Sequence, residues 1–195
     1  KDAQAQSNFD EGHFYEQAFF AIMPKLAPVL ATPQRLTAGL TLTRDYLHRS
    51  GVTMICEPGG VLSRPLQNVQ NQILGGDTVP FRTHYLPDGK SLAAMYSGPD
   101  LITQTQALMS WGQGRTSFLP DQVKLFADGA IYSLLMQMRD GYTDGHKGEW
   151  IMDPDVFNPA FDAYWAAGYQ IHVHQNGDLG LDMVLDALER NMRSQ

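Results

Sequence analysis

The chain has 195 residues, is 43% hydrophobic and 18% charged, and carries a formal net charge of −7 at pH 7. That suits one globular domain with a real core, spanning residues 1–195. Its 14 Lys and Arg are scattered, which excludes a phosphate-binding surface and so a nucleic-acid partner. Apolar runs such as AFFAIM and YSLLMQM are too short to span a bilayer, so a membrane is not expected as a partner either.

Cys56 is the single cysteine, so neither a disulfide framework nor a CxxC zinc site is available. A metal here would be held by His, carboxylate or something less usual. The chain opens KDAQAQSNF, with no Met and no charged-then-apolar signal pattern, and stops at ERNMRSQ within a helical pattern. The expectation is a piece of a longer, cytoplasmic protein.

In chain order, the stretch GHFYEQAFFAIMPKLAPVL is expected to be helical, broken at Pro24 and Pro28. A second helix follows over TPQRLTAGLTLTRDYLHRSG, with Thr32 as N-cap, Pro33 at N1 and Gly51 past its end. VTMICE is a strand. RPLQNVQNQILGG is a helix closed by Gly75 and Gly76. VPFRTHYL is a strand, GPDLITQTQALMSWG a helix, and QVKLFAD a strand. A long loop runs through RDGYTDGHKGEW and is expected to lie over the site. DPDVFNPAFDAYWAAG is a helix capped by Asp153, YQIHVH a strand, and DLGLDMVLDALERNMR an amphipathic helix with Leu181, Val184, Leu185 and Leu188 on one side.

Four strands alternating with helices predict an α/β fold with a parallel sheet and no hairpins. Two architectures fit. One is a doubly wound open sheet, a small-ligand-binding domain without catalysis. The other is a partial TIM barrel of about four parallel strands with flanking helices, half of the eight a closed barrel needs. Strand order separates them, because a doubly wound sheet has a switch point where the order reverses.

Side chains alternate across a strand. Thr53, Ile55 and Glu57 share one face of the first strand, Arg82 and His84 of the second, Lys124, Phe126 and Asp128 of the third, and His172 and His174 of the fourth. Each strand turns polar toward its C-terminal end, where α/β proteins build sites. Each residue also has a structural role open to it. Lys124 could pair with Asp128 or Glu57, Glu57 could cap the turn before PGG, Arg82 could be an ion-pair partner, and Asp128 before Gly129 suits a turn. His13, His48 and His146 are expected at the surface. CEPGG and ILGGD lack nucleotide-loop spacing, and Ser63 and Ser133 lack a GxSxG context.

VKLFADGAIYS (123–133) and HVHQNGDLGLDMVLDALE (172–189) resemble the amidohydrolase superfamily, in particular its YtcJ-like branch, which includes N-substituted formamide deformylases. LHRSGVTMICEPGG resembles that branch's entry into an early barrel strand, and the GHFYEQA opening, with His13 and Glu16, resembles a segment just ahead of it. The resemblance implies a TIM-barrel metal hydrolase acting on C–N bonds of small amides or N-substituted formamides through metal-activated water. It places Lys124 at the carboxylated lysine that bridges two divalent metals, with zinc expected, and His174 at a metal ligand ahead of the Gly-Asp tail. From their places near the strand ends, Glu57, Arg82, His84, Asp128 and His172 are expected at substrate-facing or supporting positions.

The departures from that pattern are as informative. No HxH precedes Lys124, and the later histidine and the aspartate base are absent, so on this resemblance the chain is expected to cover roughly barrel strands two to five. Two ligands do not make a zinc site. The chain alone is therefore expected to hold no tight metal, to keep Lys124 unmodified and to lack hydrolase activity. A half barrel leaves sheet edges open, so self-association is expected.

Overall fold

The computed structural model describes residues 3–4, 6–60 and 62–193, with the side chains of Glu16 and Gln17 left out. The likeness noted at Glu16, and the first and last residues of the chain, therefore lie outside what is described. The chain divides into two compact units, residues 1–46 and 47–195.

In the first unit, β1 (Ser7–Asn8) and β2 (His13–Phe14) pair antiparallel. This hairpin is a correction to the expectation of none. Strands of two residues show no alternation to read, and the turn rests on Gly12 at φ +70°. Helix α1 (Glu16–Leu30) runs unbroken through Pro24 and Pro28, contrary to the expected break. The two prolines are four apart, so their missing N–H donors fall along one side and the remaining ladder continues on the other. Helix α2 (Pro33–Arg49) starts where Pro33 predicts, with Thr32 Oγ1 accepting from Arg35 N at 3.3 Å, and stops before Gly51 at φ +73°.

The second unit carries the parallel sheet. Strand β3 (Met54–Pro58) pairs with β4 (Arg82–Leu86), and β4 with β5 (Thr116–Phe118), all parallel. Strand β6 (Gln122–Phe126) pairs in parallel with β7 (Gln170–His174). A parallel bridge between Asp88 and Lys124 links the two groups. Neighbouring strands follow chain order throughout, with no reversal. This is an α/β arc of parallel strands with flanking helices, and it does not close into a barrel.

Strand β5 was not legible in the sequence. It has three residues and is separated from β6 by Pro120 and by Asp121, which takes φ +52°. One crossing strand is thus broken in two. Its first half serves β4, with Leu119 N donating to Tyr85 O. Its second half serves β7, with Gln170 N donating to Asp121 O.

Helices α3 (Arg64–Leu74), α5 (Gly98–Ala107), α6 (Pro154–Ala166) and α7 (Asp178–Arg193) connect or follow the strands, and a short helix, α4 (Gly89–Ala93), follows β4 directly. Asp88 caps α4 by accepting from Lys90 N and Ser91 N. The core lies on one face of the strands. Val123, Leu125 and Ala127 are fully buried there, against Leu101, Phe157, Phe161, Tyr164 and Met183 of the helices. Burial of each Val, Leu, Phe or Met side chain here contributes about 1.5–3 kcal/mol. The buried Thr105 Oγ1 meets the Tyr164 hydroxyl at 2.8 Å and ties α5 to α6.

Candidate functional site

Alternation along β6 sends Val123 and Leu125 into the core and leaves Gln122, Lys124 and Phe126 half-buried on the opposite face. The register sets Lys124 beside His172 and Phe126 beside His174. Lys124, His172 and His174 therefore share one face of two neighbouring strands. His174 is the last residue of β7, so the group sits toward the C-terminal ends.

Lys124 is shaped by the glycine turn after β3. Gly59 takes φ +82°, and a Cβ there would come within 2.8 Å of Lys124 Cγ and 2.9 Å of Phe126 Cζ. Only glycine lets the backbone lie this close. The Lys124 ammonium rests over the Phe126 ring, 5.1 Å from its centroid, and Lys90 approaches the same ring at 5.5 Å. Burial without a paired carboxylate lowers the Lys124 pKa from 10.5. The sequence-level pairing of Lys124 with Asp128 or Glu57 does not form.

His174 packs beside Phe126 with ring centroids 6.0 Å apart, and its Nε2 accepts from Asn176 Nδ2 at 2.9 Å. Asn176 also donates to Gly129 O at 3.1 Å, which fixes its amide. His172 Nε2 donates to Gln122 Oε1 at 3.0 Å.

Three predicted site residues lie elsewhere. Lys124 is level with Asp88, four residues beyond His84. At about 3.3 Å per residue, His84 sits about 13 Å back along the strand and Arg82 about 20 Å. His84 Nδ1 instead meets Ser117 Oγ at 2.8 Å, and Arg82 is exposed at the start of β4. Glu57 pairs in register with Tyr85, which places it on the opposite, helix-covered face.

Asp128 leaves the face altogether. It is fully buried, and its carboxylate accepts from Gln137 N at 2.9 Å, Asn176 N at 2.8 Å and Gly177 N at 2.6 Å. Gln137 O then accepts from Leu179 N and Gly180 N, so the open donors at the start of α7 are filled from within the protein. Gly148 and Gly177 make room for this knot, since a Cβ on either would lie 1.9 or 2.0 Å from a carbonyl oxygen of Met136 or Gln137.

The long loop is anchored at both ends. Arg139 Nε donates to Asp182 Oδ2 at 2.6 Å, and the Arg139 backbone N–H donates to Asp178 at 3.0 Å. His146, expected at the surface, is partly exposed there and has partners that the sequence does not reveal. It stacks on Tyr142 at 4.1 Å, with Nδ1 at 2.5 Å from Asp144 Oδ1 and Nε2 at 2.8 Å from Leu134 O. The Leu134 carbonyl and then the Asp144 carboxylate raise its pKa above 6.5.

Sequence reasoning missed Lys90 and Asn176 as neighbours of the candidate face. Lys90 follows the PDG turn at the end of β4, and Asn176 lies in the Gly-Asp tail. Both positions follow a strand C-terminus, and that was the available signal.

Lys124 and His174 are offset by two residues on adjacent strands, which separates their backbones by about 8 Å. Among the described residues, no three His, Cys, Asp or Glu side chains group closely enough to hold a metal. Two nitrogen donors fall short of the three or four that a zinc ion takes. Among the described residues, Lys124 and His174 do not by themselves make a metal centre.

An arc of parallel strands in chain order, with helices on one face, matches part of two larger solved structures. Over 98% of its length the chain is similar to an uncharacterized metal-dependent hydrolase from Pyrococcus furiosus, with TM-score 0.65 and 18% identity, covering 39% of that protein. It is similar in the same way to an uncharacterized metal-dependent hydrolase from Pyrococcus horikoshii, over 97% of its length, with TM-score 0.63 and 15% identity, covering 37% of that protein. The chain thus spans somewhat more than a third of the length of either. No protein family and no curated protein matches it. No helix among the described residues is long and apolar enough to cross a membrane.

Proposed function

We propose that this chain is one segment of a metal-dependent amidohydrolase that cleaves C–N bonds of small amides or N-substituted formamides, and that Lys124 and His174 supply part of its metal centre. The observation that carries the reading is the pairing of β6 and β7. It puts a half-buried lysine and a histidine on one face, in a fold similar to part of two metal-dependent hydrolases.

The chemistry of Lys124 agrees with this role. Desolvation favours the neutral amine, which is the form that attacks carbon dioxide. A C–N bond forms, the nitrogen releases a proton to solvent, and the product is a carbamate with two ligand oxygens. His174 keeps Nε2 unprotonated as it accepts from Asn176, so a metal bound there would displace the Asn176 amide. His172 and Gln122 brace the same face.

The test uses a longer polypeptide that contains this chain together with the remaining strands of the fold, assayed with amides and N-formyl amines. Activity should require a divalent metal. Lys124→Ala and His174→Ala should each lower it by more than the roughly 10–100-fold that loss of a supporting partner costs. Metal-independent activity, or activity indifferent to both substitutions, would refute the proposal.

A further inference from the structure

Glycine follows aspartate at Asp88, Asp128, Asp140 and Asp144, and follows asparagine at Asn176. A chain attacks itself most readily at such pairs, because glycine has no side chain to crowd its nitrogen. The glycine nitrogen bonds to Cγ of the residue before it and closes a cyclic imide. From aspartate, the nitrogen's proton, one proton from solvent and a carboxylate oxygen leave as water. From asparagine, the side-chain nitrogen leaves as ammonia. Water then opens the imide. Opening at Cγ gives aspartate, and opening at the backbone carbonyl carbon sends the main chain through the side chain, as isoaspartate. Closure needs a side chain free to turn and a glycine nitrogen free to meet it.

Four of the five pairs are held. Asp88 is buried, its carboxylate accepts from Lys90 N, Ser91 N and Ser91 Oγ, and Gly89 is packed against Leu125 and Val123. Asp128 is buried under its three backbone donors, and Gly129 N donates to Glu149 O at 3.0 Å. Asn176 has its amide on Gly129 O and His174, and the buried Gly177 N–H is fixed on Asp128 at 2.6 Å. Asp144 Oδ1 lies 3.2 Å from His146 N and 2.5 Å from His146 Nδ1, and Gly145 N donates to Tyr142 O at 2.9 Å. Asp140 is the exception. It is exposed, and its carboxylate accepts no hydrogen bond among the described residues. The Gly141 N–H reaches Met138 O at 3.2 Å, the long end of the hydrogen-bond range. A Cβ on Gly141 would meet only His146 O, at 3.4 Å, so the turn has room to move.

We infer that Asp140 is a self-modification site, where the folded chain closes an imide with Gly141 and passes to isoaspartate, while the other four pairs are held against the same reaction. Isoaspartate at 140 adds one carbon to the main chain directly after Arg139. The Arg139 backbone and guanidinium clamp the loop to Asp178 and Asp182, so the lengthening falls just beyond the clamp and shifts the loop that follows. The site does not depend on the proposed metal chemistry, because neither Lys124 nor His174 takes part.

The test is incubation of the chain at neutral pH in water enriched in heavy oxygen, followed by digestion and mass spectrometry of the five pairs. Each passage through the imide places one heavy oxygen at that site, whichever way the imide opens. In the folded chain the label should enter at Asp140 at least about tenfold faster than at any other pair, since the held pairs react only through local opening. A second, isomeric form of the Asp140 peptide should separate by chromatography. In urea the order should change, with Asn176 first and the four aspartates alike within about threefold. His146→Gln should raise labelling at Asp144 about three- to tenfold and leave Asp140 unchanged. Label entering first at another pair of the folded chain, the same order in urea, or an Asp144 unmoved by His146→Gln would each overturn the inference. So would an Asp140 that stays unlabelled when folded and labels when unfolded. The folded and unfolded comparison uses the unaltered chain, so it does not depend on any variant folding.

Discussion

Asp128, at the end of β6, holds the start of α7 through a 2.6 Å hydrogen bond from the Gly177 backbone to its carboxylate. The same carboxylate takes the Gln137 and Asn176 backbones, so one buried side chain joins a strand, a loop and a helix. Asp128→Ala would strand three buried N–H groups and should lower unfolding free energy by about 3 kcal/mol or more. Urea denaturation checks this, and a change within about 0.5 kcal/mol would contradict it.

Gly177 is confined by space. Gly177→Ala sets a methyl 2.0 Å from Gln137 O, whereas a Cβ on Gly76 meets nothing within 4 Å. Gly177→Ala should destabilise the chain by about 2–3 kcal/mol and Gly76→Ala by about 0.5 kcal/mol or less. Equal midpoints for the two variants would show that the 137 loop does not press on the turn.

His146 should make the 139–150 loop tighter in acid. Its folded pKa is raised by the Leu134 carbonyl and Asp144, so the folded state holds the proton more firmly than the unfolded one. The resulting stabilisation is fully present below pH 6.5 and is lost as pH rises through the raised value. An NMR titration of the imidazole should find a midpoint above 6.5, and limited proteolysis of the loop should quicken on the alkaline side. A midpoint at or below 6.5 would contradict the geometry.

Lys124 carries the opposite sign. Desolvation lowers its folded pKa below 10.5, so the folded state disfavours the proton. The penalty is present below the lowered value and is relieved as pH rises toward 10.5. Competitive acylation read by mass spectrometry should show a larger neutral-amine fraction at Lys124 than at Lys25 or Lys147. Ranking Lys124 last would count against that neutral fraction.

Much of the helix and strand pattern was legible in advance. Pro33, Gly51, Gly75 and Gly168 marked helix ends, and the alternation in QVKLF separated core from open face. The face shared by Lys124, His172 and His174 followed from the same period-two logic. The misplacements came from what a single strand does not reveal. Alternation gives faces but not stagger, so His84 and Arg82 looked level with Lys124 until the Asp88–Lys124 bridge fixed the offset. It also left the relative face of Glu57 undecided, because the faces of different strands are matched only by register. Asp128 was read as following the β6 alternation, yet the three backbone donors draw it into the interior.

The open edges of β3 and β7 lead to a further expectation. Each has one paired neighbour among the described residues, and Leu181, Leu185 and Met192 leave apolar surface exposed on α7. We propose that copies of the chain self-associate through these surfaces. Sedimentation should show mass rising with concentration, and a monomer at all concentrations would exclude it.

We propose that Lys124 and His174 supply part of a metal centre whose other ligands lie elsewhere. Metal analysis of the chain after incubation with Zn2+ and exhaustive dialysis tests it most directly. The account predicts well under one ion per chain, with excess Zn2+ before dialysis shifting the His174 ring resonances. Retention of about one ion per chain, or His174 resonances indifferent to excess Zn2+, would contradict it.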